Sequence, residues 1–173
     1  SRLGVNRLGF SRLVPSGRGA ELIDEMLDRQ TIKALYEKIF SAKTGNVEIA
    51  TGDPLASQYF GSTDDADEGI FLSGGCAAGV SGLTILPDGT IMPCRRMDMA
   101  IGNVLTDSLR EIWALSPVLS ALRDKRKYKG KCRRCKKWSR CRGCRAIAYA
   151  YSKAHGKNDF LAEDPQCFLN VLK

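Results

Sequence analysis

Apolar side chains at Ile32, Leu35, Tyr36, Ile39 and Phe40 recur with the spacing of one helical face, which predicts a helix over Thr31–Ala42, with Gly45 placed as its stop. Before it, Val5 to Val14 (VNRLGFSRLV) is rich in Val, Leu and Phe and runs into Pro15-Ser16-Gly17-Arg18-Gly19, the pattern of a buried strand followed by a Gly-rich turn. After it, Val47–Ala50 reads as a short strand. Strand, helix and strand in that order suit the tail of a parallel α/β unit. Gly52-Asp53-Pro54 closes that unit, and Leu55–Phe60 predicts a short helix. A strand so close to a first residue other than Met has no preceding partner, so the chain is expected to begin inside a larger sheet.

Residues 61–75, with Gly, Ser, Thr and an acidic cluster, read as a linker. Beyond it the pattern changes. Val80–Leu86 and Thr90–Pro93 flank Pro87-Asp88-Gly89, a turn signal, and predict a β-hairpin with Cys76 before its first strand and Cys94 after its second. Two short helices are expected next. Thr106 or Asp107 would cap the one carrying Leu109, Ile112 and Trp113, and Ser116-Pro117 would start the one carrying Leu119 and Leu122, with these apolar residues in the core. Arg145–Ala154 is a further helix stopped near Gly156. The division is thus 1–60, a linker over 61–75, and 76–173, in an α+β fold.

The totals narrow the class. A chain of 173 residues that is 43% hydrophobic and 27% charged can bury a core and is not a disordered tail. No apolar run approaches the ~18 to 20 residues of a membrane span, and no signal-like segment is evident, so a cytoplasmic protein without membrane partners is expected. Seven cysteines is an odd number, and without a secretory signal a disulfide framework is a poor reading. The net charge of +8 is concentrated between Arg123 and Arg145. Such a run is either a solvated face, a nucleic-acid footprint, or the surroundings of an anionic metal centre.

The cysteines lie as Cys76-x12-Gly89-x4-Cys94, then Cys132-x2-Cys135-x5-Cys141-x2-Cys144, then Cys167. Thiolates this close together repel unless a cationic centre holds them. Paired C-x2-C units suit zinc, but zinc ribbons separate their knuckles by ~15 to 20 residues, and here five intervene. Short thiolate spacings with few histidines favour iron-sulfur clusters. His155, the only histidine, has a polar setting before Gly156 and reads as a surface residue. A second reading is a zinc-stabilised basic module binding nucleic acid, in which Tyr128 and Trp138 would stack on bases.

The whole spacing resembles the seven-cysteine SPASM region of radical S-adenosylmethionine enzymes, with two residues instead of the more frequent three between the fifth and sixth cysteines. The tail Ala162-Glu-Asp-Pro-Gln-Cys167 is similar to members that mature tetrapyrroles or peptide-derived cofactors, and the first residues loosely resemble the last strand-helix units of the family's partial TIM-like barrel. The resemblance implies two auxiliary 4Fe-4S clusters, one held by Cys76, Cys94 and Cys144, the other by Cys132, Cys135, Cys141 and Cys167. Some relatives supply a further cysteine where this chain has Gly82, so the fourth ligand of the three-cysteine cluster is left to water, another side chain or substrate. S-adenosylmethionine and a third 4Fe-4S cluster on a C-x3-C-x2-C loop are expected in an N-terminal radical domain. This chain lacks that loop and should be inactive alone. Expected partners are that domain, a small electron-transfer protein as reductant, and a peptide, protein or tetrapyrrole substrate. Nucleic acid is not expected. The basic residues Lys131, Arg133, Arg134, Lys136, Lys137, Arg140, Arg142 and Arg145 would tune cluster potential, and Arg95 and Arg96, directly after Cys94, are the candidates for substrate contact.

Overall fold

A computed structural model describes residues 4–42, 45–59 and 75–169. Strand β1 (Arg7–Gly9) pairs in parallel with β2 (Glu48–Ala50), Leu8 opposite Ile49. Helix α1 (Arg29–Ser41) lies between them in sequence. Its first turn is held by Asp28, whose carboxylate accepts from the amides of Gln30 and Thr31, both at 2.8 Å. The buried face of α1 carries Ile32 and Tyr36. Tyr36 meets Phe10 and Phe40 edge-on and also touches Tyr59 and Phe168, so the end of the chain packs on its beginning.

Two expectations for this unit are corrected. The strand predicted through Val14 ends at Gly9, because the Arg12 side chain turns into the interior to meet two carboxylates. The following segment, Gly17–Glu25, is 3-10 helix, which the apolar pattern did not reveal. The short helix expected over Leu55–Phe60 is a 3-10 turn over Pro54–Gln58, capped by Asp53. The linker expected over 61–75 falls, apart from Gly75, outside the described residues.

The second part is built on an antiparallel sheet in the order β3 (Thr84–Ile85), β4 (Thr90–Met92), β5 (Gly102–Asn103). Gly89, at φ +85°, makes the predicted hairpin turn, and the Asp88 carboxylate accepts from the Thr90 amide at 3.0 Å. The hairpin is shorter than expected. Residues 80–82 belong instead to a turn whose amides converge on the Ala77 carbonyl. Helix α2 (Leu109–Leu115) is capped by Ser108, not by Thr106 or Asp107, since the Asp107 carboxylate is engaged by the Asn103 amide. Helix α3 (Pro117–Arg123) starts at Ser116 as predicted and buries Leu119 and Leu122. Leu109 and Trp113, expected in the core, are exposed, and Arg123 lies over the Trp113 ring at 4.2 Å. Helix α4 (Gly130–Arg134), not foreseen, precedes α5 (Arg145–Ala154), which was. No helix among the described residues is long and apolar enough to cross a membrane.

Candidate iron-sulfur centre

The stretch between α4 and α5 is placed by contacts distant in sequence. The Glu163 carboxylate accepts from the Lys131 amide at 2.9 Å at the start of α4, and the Lys129 amide donates to the Leu161 carbonyl at 3.0 Å. The Cys135 amide closes α4 on the Cys132 carbonyl. On the other side, the Cys76 amide donates to the Cys141 carbonyl at 3.0 Å, and Arg142 Nε donates to the Cys76 carbonyl, also at 3.0 Å. The hairpin and the knuckle are therefore joined at their cysteines.

Six of the seven cysteines are buried, Cys94 is half-buried, and none is in a disulfide. Cys132, Cys135, Cys141 and Cys167 line one small cavity of about 20 Å³, together with Leu55, Gln58, Lys131 and Trp138. Cys144 faces elsewhere. It packs with Val14, Met97, Ala146 and Ile147, Cys94 lies against that same cluster, and Cys76 is near enough to Cys144 to raise its pKa through charge. Two consecutive left-handed residues produce the divergence: Arg142 at φ 60° and Gly143 at φ 61° reverse the chain between Cys141 and Cys144. A Cβ on Gly143 would stand 2.6 Å from Arg145 Nη2 and 2.9 Å from Asp164 Cβ, so only glycine fits.

Burial dominates the chemistry of the thiols. It pushes those of Cys141 and Cys144 up to about 12 and that of Cys167 to about 11, and it raises Cys132 as well. Opposing this are N–H groups directed at the sulfurs. The Gly143 amide donates to Cys141 Sγ at 3.3 Å and Gln58 Nε2 lies 3.8 Å from it. The amides of Asp164, Ile147 and Leu169 act likewise on Cys132, Cys144 and Cys167. Donors of this kind are what a sulfur-ligated cluster requires of its surroundings. Among the described residues no three Cys, His, Asp or Glu side chains converge as ligands of a single ion. Four sulfurs around a common space, with amides behind them, fit a polynuclear cluster.

The basic residues do not act alike. Arg133, Arg134, Lys136, Lys137 and Arg140 are exposed, whereas Arg142 and Arg145 are buried. Tyr128 is buried and Trp138 half-buried, packed edge-on at 5.4 Å, so Tyr128 is not presented to a base. Arg95 is exposed. Arg96 is half-buried, its carbonyl accepts from Ser16 Oγ at 3.1 Å, and its Nε has no partner. His155 is exposed, with Nδ1 2.8 Å from the Tyr151 carbonyl oxygen at the end of α5. Open space surrounds the Cβ position of Gly82.

Sequence reasoning missed the network that holds the two cysteine groups in register. Arg12 donates to Asp53 at 2.7 Å, to both Asp164 oxygens at 2.8 Å and to Gln166 Oε1 at 3.1 Å. Asp164 also accepts from the Cys144 amide at 2.8 Å and from the Gln166 amide at 3.1 Å. The carboxylate is fully buried, yet its pKa is lowered, because Arg12 and the amides outweigh desolvation. The available signals were Arg12, one of two Arg residues inside the apolar run from Val5 to Val14, and the Asp-Pro-Gln preceding Cys167.

Fold and site together define a cysteine-rich metal-centre domain tied to a strand-helix-strand unit. Residues 76–145 match the model of the SPASM family, described as an iron-sulfur cluster-binding domain. The chain is 31% identical over 167 residues to an AdoMet-dependent heme synthase of Methanosarcina barkeri, covering 90% of this chain and 46% of that protein. It is 28% identical over 183 residues to an AdoMet-dependent heme synthase of Nitratidesulfovibrio vulgaris, covering 96% and 47%. A PqqA peptide cyclase of a Methylobacterium species is 35% identical over 98 residues, covering 52% of this chain and 24% of the cyclase. The chain spans about half the length of the heme synthases it matches. No solved structure matches it.

Proposed function

We propose that this chain is the auxiliary-cluster portion of a radical S-adenosylmethionine enzyme that modifies a tetrapyrrole. The observation that carries this reading is the set of four thiols, Cys132, Cys135, Cys141 and Cys167, around one cavity. In this proposal they hold one 4Fe-4S cluster, and Cys76, Cys94 and Cys144 hold a second. Bound there, the clusters would supply one-electron transfer at potentials governed by burial, hydrogen bonds and nearby charge.

The residues of the chain divide the remaining work. The amides of Gly143, Asp164, Ile147 and Leu169 stabilise thiolate sulfur. Leu55 and Trp138 limit water at the cavity of the four-cysteine group. Arg95 and Arg96 follow the three-cysteine group, where the fourth iron ligand is not a cysteine, and are proposed to engage substrate carboxylates. A tetrapyrrole is favoured over a peptide because similarity to the heme synthases extends over 90% and 96% of this chain, whereas similarity to the peptide cyclase extends over 52%. The parallel β1–β2 pair with α1 between its strands is proposed as the end of the family's barrel, continued by an N-terminal domain that carries S-adenosylmethionine and its own cluster.

Anaerobic reconstitution followed by iron and sulfide analysis tests the proposal. Two clusters give a brown protein with about eight irons and sulfides per chain. A colourless protein with stoichiometric zinc would overturn it in favour of a structural zinc module. Titration with hemin, as a carboxylate-bearing tetrapyrrole, should perturb the EPR signal of the reduced three-cysteine cluster; an unchanged spectrum at saturation excludes substrate ligation there.

A further inference from the structure

Arg145 is among the largest fully buried side chains of the described residues, 1% exposed. Its guanidinium donates only to carbonyl oxygens: Nη1 to Ala162 at 2.6 Å and to Phe160 at 3.3 Å, and Nε to Gly143 at 3.5 Å. Nη2 is buried and has no partner. Its flat face rests on the Tyr128 ring at 4.9 Å, and Tyr128 in turn abuts Trp138, which lines the four-cysteine cavity. No carboxylate forms an ion pair with it among the described residues. Asp164, the nearest buried acid to act on it, accepts two bonds from Arg12 and two from backbone amides, which fills its acceptor capacity.

A buried cation without a counter-ion costs several kcal/mol, so a fold that keeps one needs an anion close by. Arg145 follows Cys144 directly in the chain, and its Nε donates to the carbonyl of Gly143, whose amide donates to Cys141 Sγ, so it stands between the two cysteine groups. After Tyr128, the groups whose charge acts on it are Cys132, from one group, and Cys76, from the other, ahead of Asp164. We infer that Arg145 is the shared counter-cation of the two thiolate-bound clusters, a positioning residue that raises the reduction potential of both and couples them electrostatically. The inference rests on the two-cluster reading above and gives one residue a role distinct from that of the exposed Lys and Arg around it. Salt screens those surface charges and screens this buried one much less.

EPR-monitored redox titration of the anaerobically reconstituted chain, in the wild type, Arg145→Gln and Arg145→Lys, tests it. Loss of a positive charge beside an anionic cluster makes reduction harder. Arg145→Gln should therefore keep its iron and move at least one midpoint to more negative potential by about tenfold in the one-electron equilibrium, about 59 mV. Arg145→Lys should stay near the wild-type value, and raised salt should not reproduce the Gln shift. Equal iron and equal midpoints in wild type and Arg145→Gln would overturn the inference and leave the two-cluster reading intact. A wild type without iron would overturn both. If Arg145→Gln loses its iron, the Lys variant decides: iron and wild-type midpoints kept by Lys support the charge role, and loss in both variants shows that Arg145 only fills space.

Discussion

Arg12 and Asp164, 152 residues apart in sequence, form a two-pronged ion pair, both N–O distances 2.8 Å, with side chains 1% and 0% exposed. The pair joins the strand-helix-strand unit to the segment leading to Cys167, and through the Cys144 amide it reaches the other cysteine group. Removing one member strands the other in a dry interior. Arg12→Ala and Asp164→Ala are each expected to cost about 3–5 kcal/mol. The double variant should cost less than the sum of the two, as measured by equilibrium denaturation. Additive losses would show that the two charges do not depend on each other.

Cys144 and Cys141 are separated by two residues but face different groups. Cys144→Ser should remove one cluster's EPR signal and about half of the iron, and Cys135→Ser should remove the other signal. Equal loss of both signals in each variant would contradict the proposed division of ligands.

Gly143 stands at φ +61° with no room for a Cβ. Gly143→Ala should cost at least about 1–2 kcal/mol from backbone strain alone, and displace Arg145 and Asp164 besides. Loss of thermal stability with reduced iron loading is expected; a variant that loads and melts like the wild type would show that the loop relaxes freely.

Asp28 caps α1, and its bonds from the Thr31 and Gln30 amides lower its pKa from the usual value. A carboxyl with a lowered folded-state pKa contributes stability above its unfolded value, near ~3.9, and loses it as pH falls through the folded value. The difference in Tm between the wild type and Asp28→Ala should therefore be constant above about pH 5 and shrink below about pH 4. A difference that persists unchanged into acid would mean that the cap acts through shape and not charge.

What can be read from local pattern is what local chemistry decides. The 3.6-residue period predicts α1, Pro-Asp-Gly the hairpin turn, Ser116-Pro117 the start of α3, and Gly156 the end of α5, because each depends on a few adjacent residues. Strand ends were poorly legible. The apolar run from Val5 to Val14 is a strand only to Gly9, since what ends it is an Arg12 partner at the far end of the chain. Helix α4 was missed because Glu163, 32 residues on from Lys131, holds its start.

The cysteine spacing by itself pointed to a thiolate-rich centre, because thiolates this dense need a cation, and it carried the likeness to the SPASM family. Only the tertiary structure decided the surroundings of those thiols: the left-handed pair Arg142-Gly143 that turns Cys144 from Cys141, the amides facing sulfur, and the separation of one basic run into exposed side chains and a buried Arg145. Burial and charge compensation depend on which distant segments meet, and spacing along a chain does not encode that.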